Sequence, residues 1–431
     1  MMKKFFFITF LTIFIFHPVF AVTLTDALNQ AFINNTELNA ERENIKVSEE
    51  DLKISKGNYK PSATITGSKS HENTQKLTNQ SGGDASVQDV DPLTTSLKIE
   101  QTLLDIGRDV EYQKNKIGLE IAKAKLLKKE QNVLYKVVEV YTGLILATEK
   151  LKINRRNLNL LKKQVETDQI RLERGQITVS DLAQTESSLA GAQAQFIQAK
   201  NDVITNKLEY ENVIGKTPNL DSLIKSLKAI VIIPSSLSES IDSSKKNNPE
   251  IIISKLELQE SEKDIEIAES ELKPTASLSF EKSYTDDFSS SYNEREKDVV
   301  KATLSWPLYS GGKKRATISK NQSKKTRKRL LLDNAIKTSQ TNVASAWSNL
   351  QSSESFLASV RLQVKAAEIA SEGIAAEYER GSRTTLDVIQ SNTLLLNAQI
   401  SLSNSERDYL LAQYNLLKSI GLLNSNYLKI K

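Results

Sequence analysis

From Val133 the apolar positions advance by alternating fours and threes: Val133, Val137, Val140, Leu144, Ala147, Leu151, then a polar Asn154, Leu158, Leu161, Val165, a polar Asp168 and Leu172. Such a stripe is the a/d seam of a coiled coil, sustained well beyond what a globular helix needs. It lies within residues 108–174, which hold no proline and only two glycines, Gly118 and Gly143. One unbroken helix is predicted there. At 1.5 Å per residue it would be ~100 Å long, too long for a compact domain to enclose. The pattern therefore predicts a projecting rod that packs against other helices.

The seam returns at Val343, Ala346, Leu350, Ser353, Leu357, Val360, Val364, Ala367, Ser371, Ile374 and Tyr378, and it is not the only recurrence. Leu24 to Leu28 and Asn34-Asn35-Thr36-Glu37 reappear as Leu237 to Ile241 and Asn247-Asn248-Pro249-Glu250, 213 residues on, as does Tyr59-Lys60-Pro61 in Leu272-Lys273-Pro274. Arg174-Gly175, Asp181 and Ile214-Gly215 reappear 206 residues on as Arg380-Gly381, Asp387 and Ile420-Gly421. An ordered set of matches marks a tandem duplication. The predicted repeats are 22–215 and 237–421, with a linker at 216–236 and a tail at 422–431. Each begins with a helix of about 35 residues (23–58; 237–273) that a proline ends. Two strands, the long helix (108–174; 313–380), a glycine turn and a last helix (179–214; 385–420) follow. At helical rise the two shorter helices add to ~105 Å, so stacked end to end they would match the long one.

The strand segments alternate instead. Ala276, Leu278, Phe280 and Tyr284 share one parity while Ser277, Ser279 and Glu281 take the other; Val300, Ala302, Leu304, Trp306 and Leu308 alternate with Lys301, Thr303 and Ser305. In the first repeat Leu93, Leu97, Ile99 and Leu103 oppose Ser96, Lys98 and Glu100, and Ala63 and Ile65 oppose Thr64 and Thr66. The predicted strands are 61–68, 93–104, 275–285 and 298–309, separated by polar loops. About ten residues is the length of a tilted β-strand across a bilayer. Trp306, Tyr309, Phe280 and Tyr284 are expected as a strand-end aromatic belt. Lipid satisfies no backbone hydrogen bond, so a membrane sheet must close, and known barrels begin at eight strands. Four strands per chain therefore call for several copies, and three copies give twelve. A soluble, half-buried sheet is the alternative for any one strand.

Composition removes most other chemistry. There is no cysteine among the 431 residues, hence no disulfide, thiolate metal site or cysteine-linked lipid. Residues 1–21 read as an export signal, with Lys3 and Lys4, the apolar run Phe5 to Phe16 and Val19-Phe20-Ala21 at the cleavage point. His17 would leave with it, and His71 would be the only histidine remaining. No cofactor, metal site or catalytic constellation is expected. Without Lys3 and Lys4 the balance is 56 basic against 53 acidic residues, which selects no partner. Lys313 to Arg329 nevertheless holds nine basic residues in seventeen. After an export signal and a strand exit, with no aromatics interleaved, it reads as a solvated helix face near lipid headgroups rather than a nucleic-acid site.

Together these parts resemble the TolC family of outer-membrane efflux and secretion channels. The resemblance runs from about Thr23 to Leu423. It rests on the duplicated layout, on Trp306-Pro307-Leu308-Tyr309-Ser310-Gly311-Gly312, and on the paired turns Gly175 to Asp181 and Gly381 to Asp387, the second preceded by Tyr378. It implies a homotrimer with a twelve-stranded barrel in the outer membrane and a helical tunnel through the periplasm. It also implies docking to a periplasmic adaptor (membrane fusion) protein and an inner-membrane transporter of ABC or RND type. By motif position it implies a gate: Asp181 linked to Tyr378, Arg383 linked to Ser180 of a neighbouring coil, and a ring of Asp387. Gln390 stands where family members often carry a second aspartate, so a less negative ring with weaker cation block is expected. Asp181 and Asp387 also lie where they could simply cap the helices that follow. Gly175 and Gly381 fit left-handed helix caps, with adaptor contact as the added expectation. A soluble periplasmic coiled-coil adaptor or scaffold is the competing reading.

Overall fold

The computed structural model describes residues 22–430 except 76, 79–83, 86–87, 227–228 and 230–231. The export segment read at residues 1–21 lies outside the described residues. Helices α1 (Leu24–Asn34) and α2 (Thr36–Gly57) lead into strand β1 (Ser62–Lys69). The short strands β2 (Glu72–Thr74), β3 (Leu77–Thr78), β4 (Asp84–Ala85) and β5 (Gln88–Val90) then carry the chain to β6 (Leu93–Leu104). The rod helix α3 (Ile106–Glu173) and α4 (Val179–Ile214) complete the first repeat. The second contains α5 (Leu237–Asn247), α6 (Pro249–Ser270), β7 (Thr275–Ser289), β8 (Tyr292–Ser305), α7 (Lys313–Glu379) and α8 (Thr385–Ser419), followed by the short α9 (Ser425–Leu428).

The single opening helix expected in each repeat is in fact two. Asn35 has extended backbone (ψ 121°) and serves both as C-cap of α1 and as N-cap of α2, accepting from Leu38 N at 3.1 Å. Its side-chain amide donates to Val213 O at 3.1 Å, tying the break to the end of α4. Asn248 repeats the arrangement, accepting from Glu250 N and donating to Ser419 O, both at 2.9 Å. The apolar period runs on across both breaks, which is why it predicts continuity. An asparagine that satisfies helix ends on both sides makes the interruption inexpensive.

Four strands form one antiparallel sheet in the order β1-β6-β7-β8. Its register aligns Ala63 with Ile99, Ile99 with Phe280 and Phe280 with Val300, and Ile65 with Leu97. One face is thereby mainly apolar, interrupted by the Lys282–Asp298 pair beside Leu97. The other carries Thr64, Thr66, Ser96, Ser279 and a Lys98–Glu100 ion pair of 2.6 Å. None of the described residues covers the apolar face: Ile65 is 74 % exposed, Val300 73 % and Leu304 71 %. β7 and β8 run past the predicted ends, because the stretch expected as a polar loop at 285–298 continues the hairpin to a tight turn between Ser289 and Tyr292. Phe280 consequently sits within β7 rather than at its end, and Tyr284 lies further up the same strand. Trp306 and Tyr309 lie just beyond β8, exposed, with the Trp306 indole donating to Leu272 O at 3.2 Å.

Below the sheet the helices pack in the same lateral order as the strands they support: α2 against α3, α3 against α6, and α6 against α7. Further down, α3 pairs with α4 and α7 with α8 as two coiled coils. The main apolar core lies where α1, α3, α4, α7, α8 and the C-terminal tail converge, around Leu28, Leu134, Tyr141, Leu144, Tyr414 and Ile420. Tyr141 donates to Val22 O and Ile224 O, each at 2.8 Å, and burial pushes its phenol up to about 12.

Candidate functional site

The end of the rods remote from the sheet is where the sequence placed its functional residues, and two pieces of local chemistry build it. Each coil turns on a glycine with positive φ, Gly175 at 67° and Gly381 at 78°. Gln176 N donates to Arg171 O and Gly175 N to Leu172 O; Ser382 N to Glu377 O and Gly381 N to Tyr378 O repeat the pattern. This pair of bonds is a Schellman closure, which needs a left-handed residue and so favours glycine. The next helix then starts with a capping box. Asp181 accepts from Thr178 N (2.9 Å) and Thr178 Oγ1 (2.8 Å), and Asp387 accepts from Thr384 N and Oγ1 at the same distances. Those hydrogen bonds, backbone first, hold both carboxyls below the usual carboxylate range.

Capping occupies Asp181 and corrects one expectation: it does not bond Tyr378. The Tyr378 hydroxyl points inward and donates to Asp168 Oδ1 at 2.5 Å. Asp168 is fully buried in the α3 seam, where an uncompensated carboxylate would be costly. Tyr378 relieves it, with Thr185 Oγ1 donating to Oδ2 at 2.6 Å and Gln164 Nε2 donating to Oδ1 at 2.9 Å. Thr385 Oγ1 stands 3.3 Å from the same phenol. Burial, and next the bond to Asp168, raise the Tyr378 phenol above its ordinary value. Arg171 reinforces the joint: its guanidinium lies 4.0 Å from the Tyr378 ring centre and its Nη2 donates to Tyr378 O at 3.1 Å. Helices from both repeats are thus tied together at one point.

The remaining predicted residues stand apart from this tie. Arg383 is engaged on its own coil, Nε donating to Glu377 Oε2 at 2.7 Å, and that pair holds its guanidinium above the usual range. Ser180 and Gln390 are exposed, while Asp387 is partly covered. Arg171, Asp181, Tyr378, Arg383 and Thr384 border an open cleft of ≈ 560 Å³ between the two turns. Sequence reasoning missed Asp168, Gln164, Thr185 and Arg171 as members of the site. The usable signal was the acid at a seam position, where a leucine or valine belongs.

With this geometry in view the comparisons are decisive. A profile of the outer membrane efflux protein family matches residues 27–216 and 240–422. The chain belongs to that family. Among relatives, it is 27 % identical to the outer membrane efflux protein BepC of Brucella suis over 95 % of this chain and 87 % of that one. It is 24 % identical to the alkaline protease secretion protein AprF of Pseudomonas aeruginosa, over 80 % and 72 % of the two chains. The solved Campylobacter jejuni CmeC outer membrane channel superposes with a TM-score of 0.80 at 15 % identity, covering 92 % of this chain and 85 % of that one. The family's members are channel proteins, and its sheet is an outer-membrane element. Family membership thus accounts for the uncovered apolar face, since lipid is the surface that face meets.

Proposed function

We propose that this chain is the passive exit duct of a tripartite efflux pump or a type I secretion system. On this reading three copies close the sheet into twelve strands, and their rods form the periplasmic tunnel. The observation that carries it is the four-stranded sheet with an open edge at β1 and at β8 and a bare, mainly apolar face around Ile65, Phe280, Val300 and Leu304. A soluble adaptor would have to leave that face and both edges in water, against the ordinary behaviour of sheets. A periplasmic adaptor and an inner-membrane transporter supply the driving energy, and the chain supplies a water-filled path with a gated end.

The gate on this reading is the Asp168–Tyr378 tie, repeated once per copy. Asp387 from each copy forms the carboxylate ring, Gln390 leaves the next turn uncharged, and Arg383 with Ser180 and Asp181 borders the contact between coils. Gly175 and Gly381 mark the turns that an adaptor grips. Holding the coils by a few hydrogen bonds suits a structure that a partner must open, since each is worth only ~1–3 kcal/mol. The test is a planar bilayer: detergent-extracted protein of trimeric mass should conduct ions. Protein that is freely soluble without detergent and monomeric would overturn the reading.

A further inference from the structure

Two faces of the chain are left bare in a way the rest of it explains. α7 and α2 are the outermost helices below the sheet, lying under the unpaired edge strands β8 and β1. On α3, Val110, Ile121 and Ala124 are buried between α2 and α6, each 8 % exposed or less. Their counterparts 206 residues on, Ala316, Arg327 and Leu330, are exposed on α7, Leu330 by 61 %. On α6, Ile253 is 8 % exposed; its counterpart 213 residues earlier, Ala40, is exposed on α2, in a heptad stripe with Val47 at 57 % and Ile54 at 66 %. α7 and α2 thus each lack the neighbour that α3 and α6 give one another.

The internal α3–α6 contact carries an ion pair, Lys114 Nζ to Asp264 Oδ1 at 2.7 Å, about one-third exposed on each side (31 % and 30 %). Both members recur in the other repeat. Lys114-Asn115 matches Lys320-Asn321, and both asparagines donate to the helix alongside, Asn115 to Ser55 and Asn321 to Asp264 O. Asp264 matches Asp51. Lys320 and Asp51 are exposed, and neither has an ion-pair partner among the described residues. The rest of the basic run is partly spoken for: Lys325 meets Glu262 and Lys328 meets Glu257 within the chain.

We propose that the bare face of α7 docks on α2 of a second copy, with Lys320 paired to Asp51 of the partner subunit, so that the seam between copies reproduces the α3–α6 seam inside each chain. The proposal rests on the exit-duct reading, since closure of the barrel brings β8 beside the partner's β1. The two faces match in charge at Lys320 and Asp51 of the partner subunit. Ala316, Ser323 and Leu330 form a heptad stripe on α7, flanked by Lys320 and Arg327. The stripe it would meet is apolar and flanked by Asp51 of the partner subunit, while Glu43 and Glu50 on the same helix are paired locally with Lys46 and Lys53. Opposite charges on facing helices select partner and register more than they add affinity. The basic run is then part of an assembly seam rather than a lipid-facing patch.

Because the chain has no cysteine, the test is clean. Lys320→Cys and Asp51→Cys are placed in one chain, extracted in detergent, and treated with a short bis-maleimide, since an ion pair spaces backbones further than a disulfide allows. Covalent dimers and trimers on a denaturing gel, absent from either single variant, are expected. Lys320→Glu should speed subunit dissociation up to about fivefold per pair, and adding Asp51→Lys should restore the parent rate. A trimeric mass without crosslinks, with the Lys320→Cys thiol freely alkylated, overturns the seam and leaves this face to lipid or cargo while the duct stands. A monomeric mass overturns the duct itself.

Discussion

Tyr378→Phe removes one hydroxyl from the tie between the two coils and leaves the ring, its packing and the Arg171 contact in place. The Asp168 carboxylate, 0 % exposed, keeps Thr185 and Gln164 but loses its shortest partner. A hydrogen bond to a charged group contributes about 1.5–3 kcal/mol net. On the proposed three-copy gate the loss falls on the closed tip alone, because a carboxylate freed by opening is satisfied by water. Summed over three copies the closed state loses ~5–9 kcal/mol, and inverting a 1:99 equilibrium takes ~5.5 kcal/mol. The variant is therefore expected to spend most of its time in a higher-conductance state in planar bilayers, without adaptor. Asp168→Asn, which keeps the shape and removes the charge, should fall between parent and Tyr378→Phe. Parent-like conductance in a Tyr378→Phe protein of unchanged mass would refute the assignment of this tie as the gate.

Other consequences are open to direct measurement. Asp387→Asn should weaken channel block by multivalent cations, and unchanged block would place the ring elsewhere. Gly421→Ala should be far more damaging than Gly175→Ala: both glycines have positive φ, but a Cβ at Gly421 would collide with Asn247 O whereas nothing lies within 4 Å at Gly175. About 1–2 kcal/mol from the left-handed backbone applies to both, and ~1–3 kcal/mol of overpacking to Gly421 alone, readable as a larger fall in Tm. Tyr141, raised to about 12, contributes stability that is full below the ordinary tyrosine value of about 10 and is lost as pH climbs through 12. Tyr141→Phe should flatten that alkaline fall in Tm, and an unaltered slope would assign it to other groups. The capping carboxyls of Asp181 and Asp387 behave oppositely: their contribution is present above about pH 4 and disappears as pH drops through their lowered values. Amide exchange at the tip should accelerate there first, and uniform acceleration along the rods would count against it.

Much of this architecture is written in local period. Heptads at Val133 to Leu172 predict α3, and parity around Leu278 and Val300 predicts β7 and β8, because these patterns follow from helix and strand geometry alone. What period cannot express is a break that preserves phase, as at Asn35 and Asn248. Only the donor and acceptor needs of the flanking helix ends reveal those joints. Strand length was hidden likewise, since a hairpin that rises into water carries polar residues on both faces and resembles a loop. At the tip, Asp181 was legible as a cap from its place at the start of a predicted helix. Asp168 and Tyr378 are 210 residues apart, and only tertiary packing brings them together. A buried acid in an apolar seam announces that some partner exists without saying which.

The asparagine joints divide the rods unequally. α3 and α7 run without interruption from the sheet to the tip, whereas the helices beside them stop and restart at Asn35 and Asn248, level with the largest apolar core. Torque applied at the tip would travel up two stiff spokes but meet a slackened line alongside them. On the exit-duct reading, movement at the far end would be absorbed near mid-height, leaving the staves above in register while the mouth below them turns.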